Sequence, residues 1–355
     1  MRIYGLDFTS SPKKNKPLTL VKCTLIDSLL TIENFHEFGS DFQSPFEDYA
    51  DWLNSRGEKW NEREWIAGID FPFGMPQLAI TYLGWADDLS KCSWEDYVKK
   101  IYIAHPTFSK FCKEVTDWTY PNELSETGNP IKVQAKRITD QVSRSQSPMK
   151  VKNNPYPGAM FYKGCKELFK ADISIPPVRN SRNNKKIAVE AYPKLVALHF
   201  FPDKEQFHEL LQKKNIRKED RNNLSPDELE TKKNITNEIK ELSVRARRML
   251  RYKEAGEDEL ARNNRQMIID GLNKSDNPYG VCVVFSDETH KKRCIADTKA
   301  DLLDSVLCAV QASWAYKKRE SGYGVPYFDT DDPVKRQIEL EGWITDPALH
   351  EIFQR

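Results

Sequence analysis

The sequence predicts an α/β fold: a mixed-sheet core with helices, interrupted by two large insertions. Three observations carry this prediction. Short apolar runs of strand character recur early, in the middle and late in a chain of 355 residues. One strongly periodic helix lies near the end. Two long stretches without strand character, residues 92–185 and 203–275, separate the runs. The implied organisation is a core at residues 1–91, an insertion with a basic block at 92–185 and a core strand at 186–202. A charged helical insertion at 203–275 and a last core segment at 276–355 follow.

Taken in order, residues 2–8 (RIYGLDF) read as a strand ending in Asp7, followed by a turn-forming loop, TSSPKKNKP. Residues 18–26 and 29–35 read as two strands of a hairpin. In residues 45–56, Phe46, Tyr49, Ala50 and Leu53 share one helical face. Residues 64–71 (EWIAGIDF) form an apolar run ending in Asp70, the pattern of a buried strand. Residues 93–118 read as helix, whereas 120–186 are weakly periodic around an apolar island, GAMFYKG. Residues 186–191 (KIAVEA) read as a strand that carries Glu190. Residues 203–273 read as two or three solvated helices, and 279–286 as a strand. Residues 298–316 are the clearest helix, with Leu302, Val306, Ala309, Val310 and Ser313 at helical spacing. The tail from Gly322 reads as irregular.

Composition bounds the function. With 54 Lys+Arg against 53 Asp+Glu, the net charge of +1 argues against both a polybasic coating protein and an acidic solvating one. The 39% of hydrophobic residues suffices for a real core. The neutrality is segregated, however: residues 27–129 carry net −11 and residues 130–186 net +10. Such asymmetry points to an anionic partner at one face. The seven cysteines show no CxxC or other zinc-ligand spacing, which fits a reducing, cytoplasmic compartment. There is no signal-peptide h-region and no run of the ~18 apolar residues a membrane span needs, so no membrane partner is expected. Oligomeric state is not set by any feature of the sequence.

The chemistry concentrates in carboxylates. Asp7, Asp70 and Glu190 end strands, where α/β sheets place their sites. Asp301 and Asp304 are neighbours on the late helix at i, i+3. If that helix packs beside the first strand, the acids converge, and their repulsion calls for a cation. Mg²⁺ or Mn²⁺ suits carboxylate oxygens. Two such ions activate a water and stabilise a leaving oxygen. The plainer readings are that each strand-end Asp is a turn residue, and that Asp301 completes a capping box with Thr298. Asp304 and Glu190 resist that reading, because each stands in an apolar setting and needs a partner.

The motifs GLDFTSSP, GIDFPFGMP, VEAYPKL and ADLLDSVLCAVQASWA resemble those of domain-of-unknown-function family 429, predicted nucleases assigned an RNase H-like fold. RITD (Arg137 to Asp140), SPMK (Ser147 to Lys150), PGAMFYKG and EGWI are similar to motifs of one branch of that family. Asp7 and the Asp301-x-x-Asp304 helix are more distantly similar to the metal-binding pattern of RuvC-type junction resolvases, with Asp70 at the position of the carboxylate that ends the fourth strand. The resemblance implies an RNase H-like core and a two-metal nuclease. Asp7, Asp70, Asp301 and Asp304 would be the ligands, and Glu190 either a further ligand or an orienting group.

Nucleic acid is the implied partner. Lys132, Lys136, Arg137, Arg144, Lys150, Lys152 and Lys163, interleaved with Tyr156, Phe161 and Tyr162, suit phosphate binding with base stacking. The plainer reading is a solvated loop that balances the acidic block. Arg137, Lys150 and Lys163 are the candidate contacts, and Ser10 and Ser11 form either a phosphate-contacting loop or ordinary turn chemistry. Two other functions compete. One is an ATP-binding phosphotransferase of the wider RNase H and actin-like group, for which DFTSS fits an early phosphate loop but no second Gly-rich motif occurs. The other is a nucleic-acid-binding module that does not cut.

Overall fold

The computed structural model describes residues 1–39, 44–121, 133, 135–152, 156–181, 185–200, 251–253, 258–329 and 332–352. Most of the charged segment 203–257, Lys132 among the basic candidates, and the helices expected between 203 and 250 lie outside the described residues.

Among the described residues, six strands form one mixed sheet. They are β1 (Arg2–Asp7), β2 (Thr19–Ile26), β3 (Leu29–Glu37), β4 (Trp65–Ile69), β5 (Lys186–Glu190) and β6 (Cys282–Phe285). The order across the sheet is β5-β4-β1-β2-β3-β6. The β1–β2 and β2–β3 pairs are antiparallel, joined between β2 and β3 by a tight turn in which Asp27 adopts a left-handed φ of 53°. The β1–β4, β4–β5 and β3–β6 pairs are parallel. β4 is buried along its whole length, which is why WIAGI reads as continuous rather than alternating apolar.

The two faces of the sheet bury different sets of side chains. Tyr4, Leu6, Ala67, Ile69 and Ala188 point to one face. There they meet α1 (Pro45–Asn54), α3 (Trp94–Ala104), α4 (Phe108–Thr119) and α6 (Pro157–Lys170). Ile3, Val21, Ile66, Ile187 and Val189 point to the other face, against α8 (Glu259–Leu272) and α10 (Asp301–Lys317). The alternation is the period-2 rule of extended chain. Helix α10 is buried without interruption from Asp301 to Ala315, as a helix enclosed on all sides must be.

Several elements differ from the expectation. Residues 93–118 form two helices, because the chain leaves helix at His105–Pro106 and restarts with Thr107 capping the Lys110 N–H. The apolar island GAMFYKG lies inside the 14-residue α6. Among the described residues, further short helices are α2 (Gln77–Tyr82), α5 (Ile138–Val142), α7 (Pro193–His199) and α9 (Glu288–Ala296). The tail is also ordered into helix, as α11 (Pro333–Glu341) and α12 (Pro347–Ile352). Helix α8 is not solvated all round, since it buries Ile268, Ile269 and Leu272. Among the described residues no helix is long and apolar enough to cross a membrane.

Candidate metal centre

Three carboxylates meet at the end of the sheet where β1 and β4 finish. Asp7 is the last residue of β1. Asp70 follows β4 directly, its N–H donating to the Leu6 carbonyl at 3.0 Å. Asp304 enters from the first turn of α10. One carboxylate oxygen from each lies within 4.8 Å of the other two. Two glycines make this approach possible. Gly5 stands two residues before Asp7 and Gly68 two before Asp70, so both face α10. A Cβ on Gly5 would overlap the Ser305 carbonyl, and one on Gly68 the Cys308 carbonyl.

The cluster is electrostatically loaded. Burial drives the Asp7 carboxyl well above its usual range; the Lys253 ammonium opposes this, while Asp70 and Asp301 add to it. Burial likewise raises Asp70 to about 6, opposed by Lys253 and reinforced by Glu190. Asp304 is wholly buried and bonded at both oxygens: Tyr252 donates its hydroxyl to Oδ1 at 2.9 Å, and Lys253 Nζ contacts Oδ2. The ammonium of the half-exposed Lys253 stands where a cation belongs among these acids. A donor set of closely spaced carboxylate oxygens fits a hard divalent ion such as Mg²⁺ or Mn²⁺.

Two of the five expected acids are placed otherwise. Asp301 begins α10 one turn before Asp304. Its oxygens are outside the trio, although its charge reaches Asp7. It does not close a capping box with Thr298: Asp297 Oδ2 accepts the Leu302 N–H at 2.9 Å, and Ala300 turns the chain at φ 58°. Glu190 faces the opposite side of the sheet. It pairs in register with Ile69 rather than with a residue of the α10 face. Arg137 clamps it with N–H bonds of 2.7 and 2.8 Å, and the Phe73 N–H adds a third at 2.9 Å.

Arg137 itself is fully buried and uses all five N–H donors on the protein: two on Asp140, two on Glu190 and one on the Glu341 carbonyl. None remains for a phosphate, so its expected role as a substrate contact is not what the geometry assigns. The motifs RITD, VEAYP and EGWI, distant in sequence, thus meet in one ion-pair cluster. Lys163 Nζ donates to the buried Ser10 carbonyl at 2.6 Å and lies over Phe46, tying the loop after β1 to α6. Burial lowers the pKa of Lys163. Ser11 is exposed and bonds only weakly to Thr9. Lys150 lines a separate cavity of 430 Å³ with Lys136 and Lys152.

Beside Asp70 opens a mostly apolar cavity of 340 Å³. Phe71, Met160, Tyr192, Tyr252 and Ile344 line it, together with the Arg137–Glu190 pair. Sequence reasoning missed Tyr252 and Lys253. Their signal was indirect: Asp304 in an apolar helix required a partner, and the nearest candidates lie more than fifty residues away along the chain. Comparison with family models, with curated proteins and with solved structures gives no match.

Proposed function

We propose that this chain is a divalent-metal-dependent phosphodiesterase that hydrolyses nucleic acid, on a core of RNase H-like type. The observation that carries the reading is the trio Asp7, Asp70 and Asp304. They come from the first strand, the end of the fourth strand and the late helix, the three places where the resemblance to junction resolvases puts metal ligands. Their spacing, within 4.8 Å, is far inside the roughly 8 Å beyond which carboxylates cannot share a pair of ions about 4 Å apart.

In this reading Asp7, Asp70 and Asp304 hold Mg²⁺ or Mn²⁺. A divalent ion held there would supply Lewis acidity toward a phosphoryl oxygen and toward water. The chain's own groups do the rest. Burial shields Asp7 and Asp304 from bulk water, and Tyr252 fixes the Asp304 rotamer through its hydroxyl. The half-exposed Lys253 ammonium, beside Asp304, would present a positive charge to a phosphate bound at the trio. Lys194, exposed at the cavity edge, adds another.

The test is cleavage of single strands, duplexes, hybrids and junctions with Mn²⁺ or Mg²⁺, beside Asp7→Asn and Asp304→Asn. Cutting should fall by more than about 100-fold in both. The loss in Asp301→Asn should be smaller, about 10–100-fold, as for a group one step removed from a metal. Cutting that survives both primary substitutions sinks the site. ATP hydrolysis without cutting points to the phosphotransferase alternative, and tight binding alone to a module that does not cut.

A further inference from the structure

We propose that the cavity beside Asp70 receives an unstacked nucleobase of the substrate strand, so that the substrate is single-stranded or locally unpaired nucleic acid. The proposal rests on the phosphodiesterase reading and names the substrate class of that same site. Continuity is the first argument: Asp70, Tyr252 and Lys253 line the cavity and also make or contact the carboxylate trio. A strand with a phosphate at the trio has its neighbouring nucleoside at the cavity mouth.

The lining then selects a flat ring rather than a second phosphate. Phe71, Tyr192 and Tyr252 present aromatic surface, and Met160 and Ile344 are apolar. The buried Arg137 in the lining offers little to an anion, because every one of its N–H groups is already held by Asp140, Glu190 or the Glu341 carbonyl. Two polar groups are available at the wall. Among the described residues, neither the Gln146 amide nor the Tyr192 hydroxyl has a hydrogen-bond partner. An amide that can both donate and accept matches the edge of a base. The exposed Lys194, likewise without a partner among the described residues, supplies charge complementary to the strand's backbone. The volume of 340 Å³ lies within the range of about 300–1,000 Å³ for small-molecule sites. A base within a duplex is stacked on both faces and cannot enter without being extruded.

The experiment is a binding scan by fluorescence anisotropy in Ca²⁺. The probe is an end-labelled single-stranded oligonucleotide in which one abasic position is walked along the strand. Wild type should lose about tenfold in affinity at one position, in line with base–aromatic stacking. Met160→Trp, which fills the cavity, should show no position dependence, while Met160→Leu should keep it. A flat profile in wild type overturns the base pocket, as does a duplex that binds as tightly as the single strand. Cleavage of the same oligonucleotide in Mn²⁺ by wild type and Asp7→Asn reports separately on the metal centre. Cleavage lost in Asp7→Asn together with a flat profile removes the pocket and keeps the nuclease. A one-position profile without cleavage does the reverse.

Discussion

Gly5 of β1 lies directly beneath Ser305 of α10, so close that a single methyl group on Gly5 would overlap the Ser305 carbonyl and crowd the Ala309 amide. The contact sets the height of the helix above the sheet. Asp7 is two residues beyond Gly5 and Asp304 one residue before Ser305, so the same contact sets the spacing of two candidate ligands. Gly5→Ala should therefore cost more than the 1–3 kcal/mol usual for overpacking, because backbone rather than a flexible side chain must give way. Divalent affinity should fall with it. Thermal unfolding with and without Mn²⁺ checks both: a variant as stable as wild type, with an unchanged Mn²⁺ shift in Tm, removes the argument.

Arg137 compensates two buried carboxylates, Asp140 and Glu190. Arg137→Met leaves them facing one another without a counter-charge. Loss of one partner of a buried pair typically costs about 3–5 kcal/mol. Urea unfolding midpoints should register a loss of that order. A near-neutral substitution would show that these acids take up protons or solvent at little cost.

Burial holds Asp70 at about 6, above its ordinary 3.8. A folded-state pKa raised above the unfolded one means that the native state binds the proton more tightly. The stability so contributed is complete below about pH 4 and is lost as pH rises through about 6. Asp7 shifts in the same direction. Metal-free wild type should therefore lose Tm, relative to Asp70→Asn, between pH 4 and 7. Parallel pH profiles for the two proteins would contradict the expectation.

Lys253 competes with any metal for Asp304. Lys253→Met should lower the Tm of the metal-free protein at neutral pH, where three close carboxylates then lack their ammonium. The same variant should bind Mn²⁺ more tightly, by about tenfold for each 1.4 kcal/mol of competition removed. Titration calorimetry decides: weaker Mn²⁺ binding in the variant would make the lysine a support of the site rather than an occupant.

Much of the fold is readable along the chain because it is local. The β2–β3 hairpin, the buried strand WIAGI and the carboxylate-bearing helix are each set by a period or an apolar run of their own residues. The helices missed are those whose signal is weak without tertiary support. α6 has Pro and Gly in its first turn, and α11 and α12 are short; each is stabilised by packing on elements remote in sequence.

The candidate site divides in the same way. The sequence by itself determined which acids stand at strand ends and that Asp304 and Glu190 each needed a partner. Only the tertiary structure decided which partner. Strand parity turns Asp7 and Asp70 toward α10 and Glu190 away from it, toward Arg137. That parity depends on register between strands remote in sequence, β1 with β4 and β4 with β5, and a shift of one residue would exchange the faces. Residue type and spacing carry the chemistry, whereas register and the glycine-permitted descent of α10 carry its convergence.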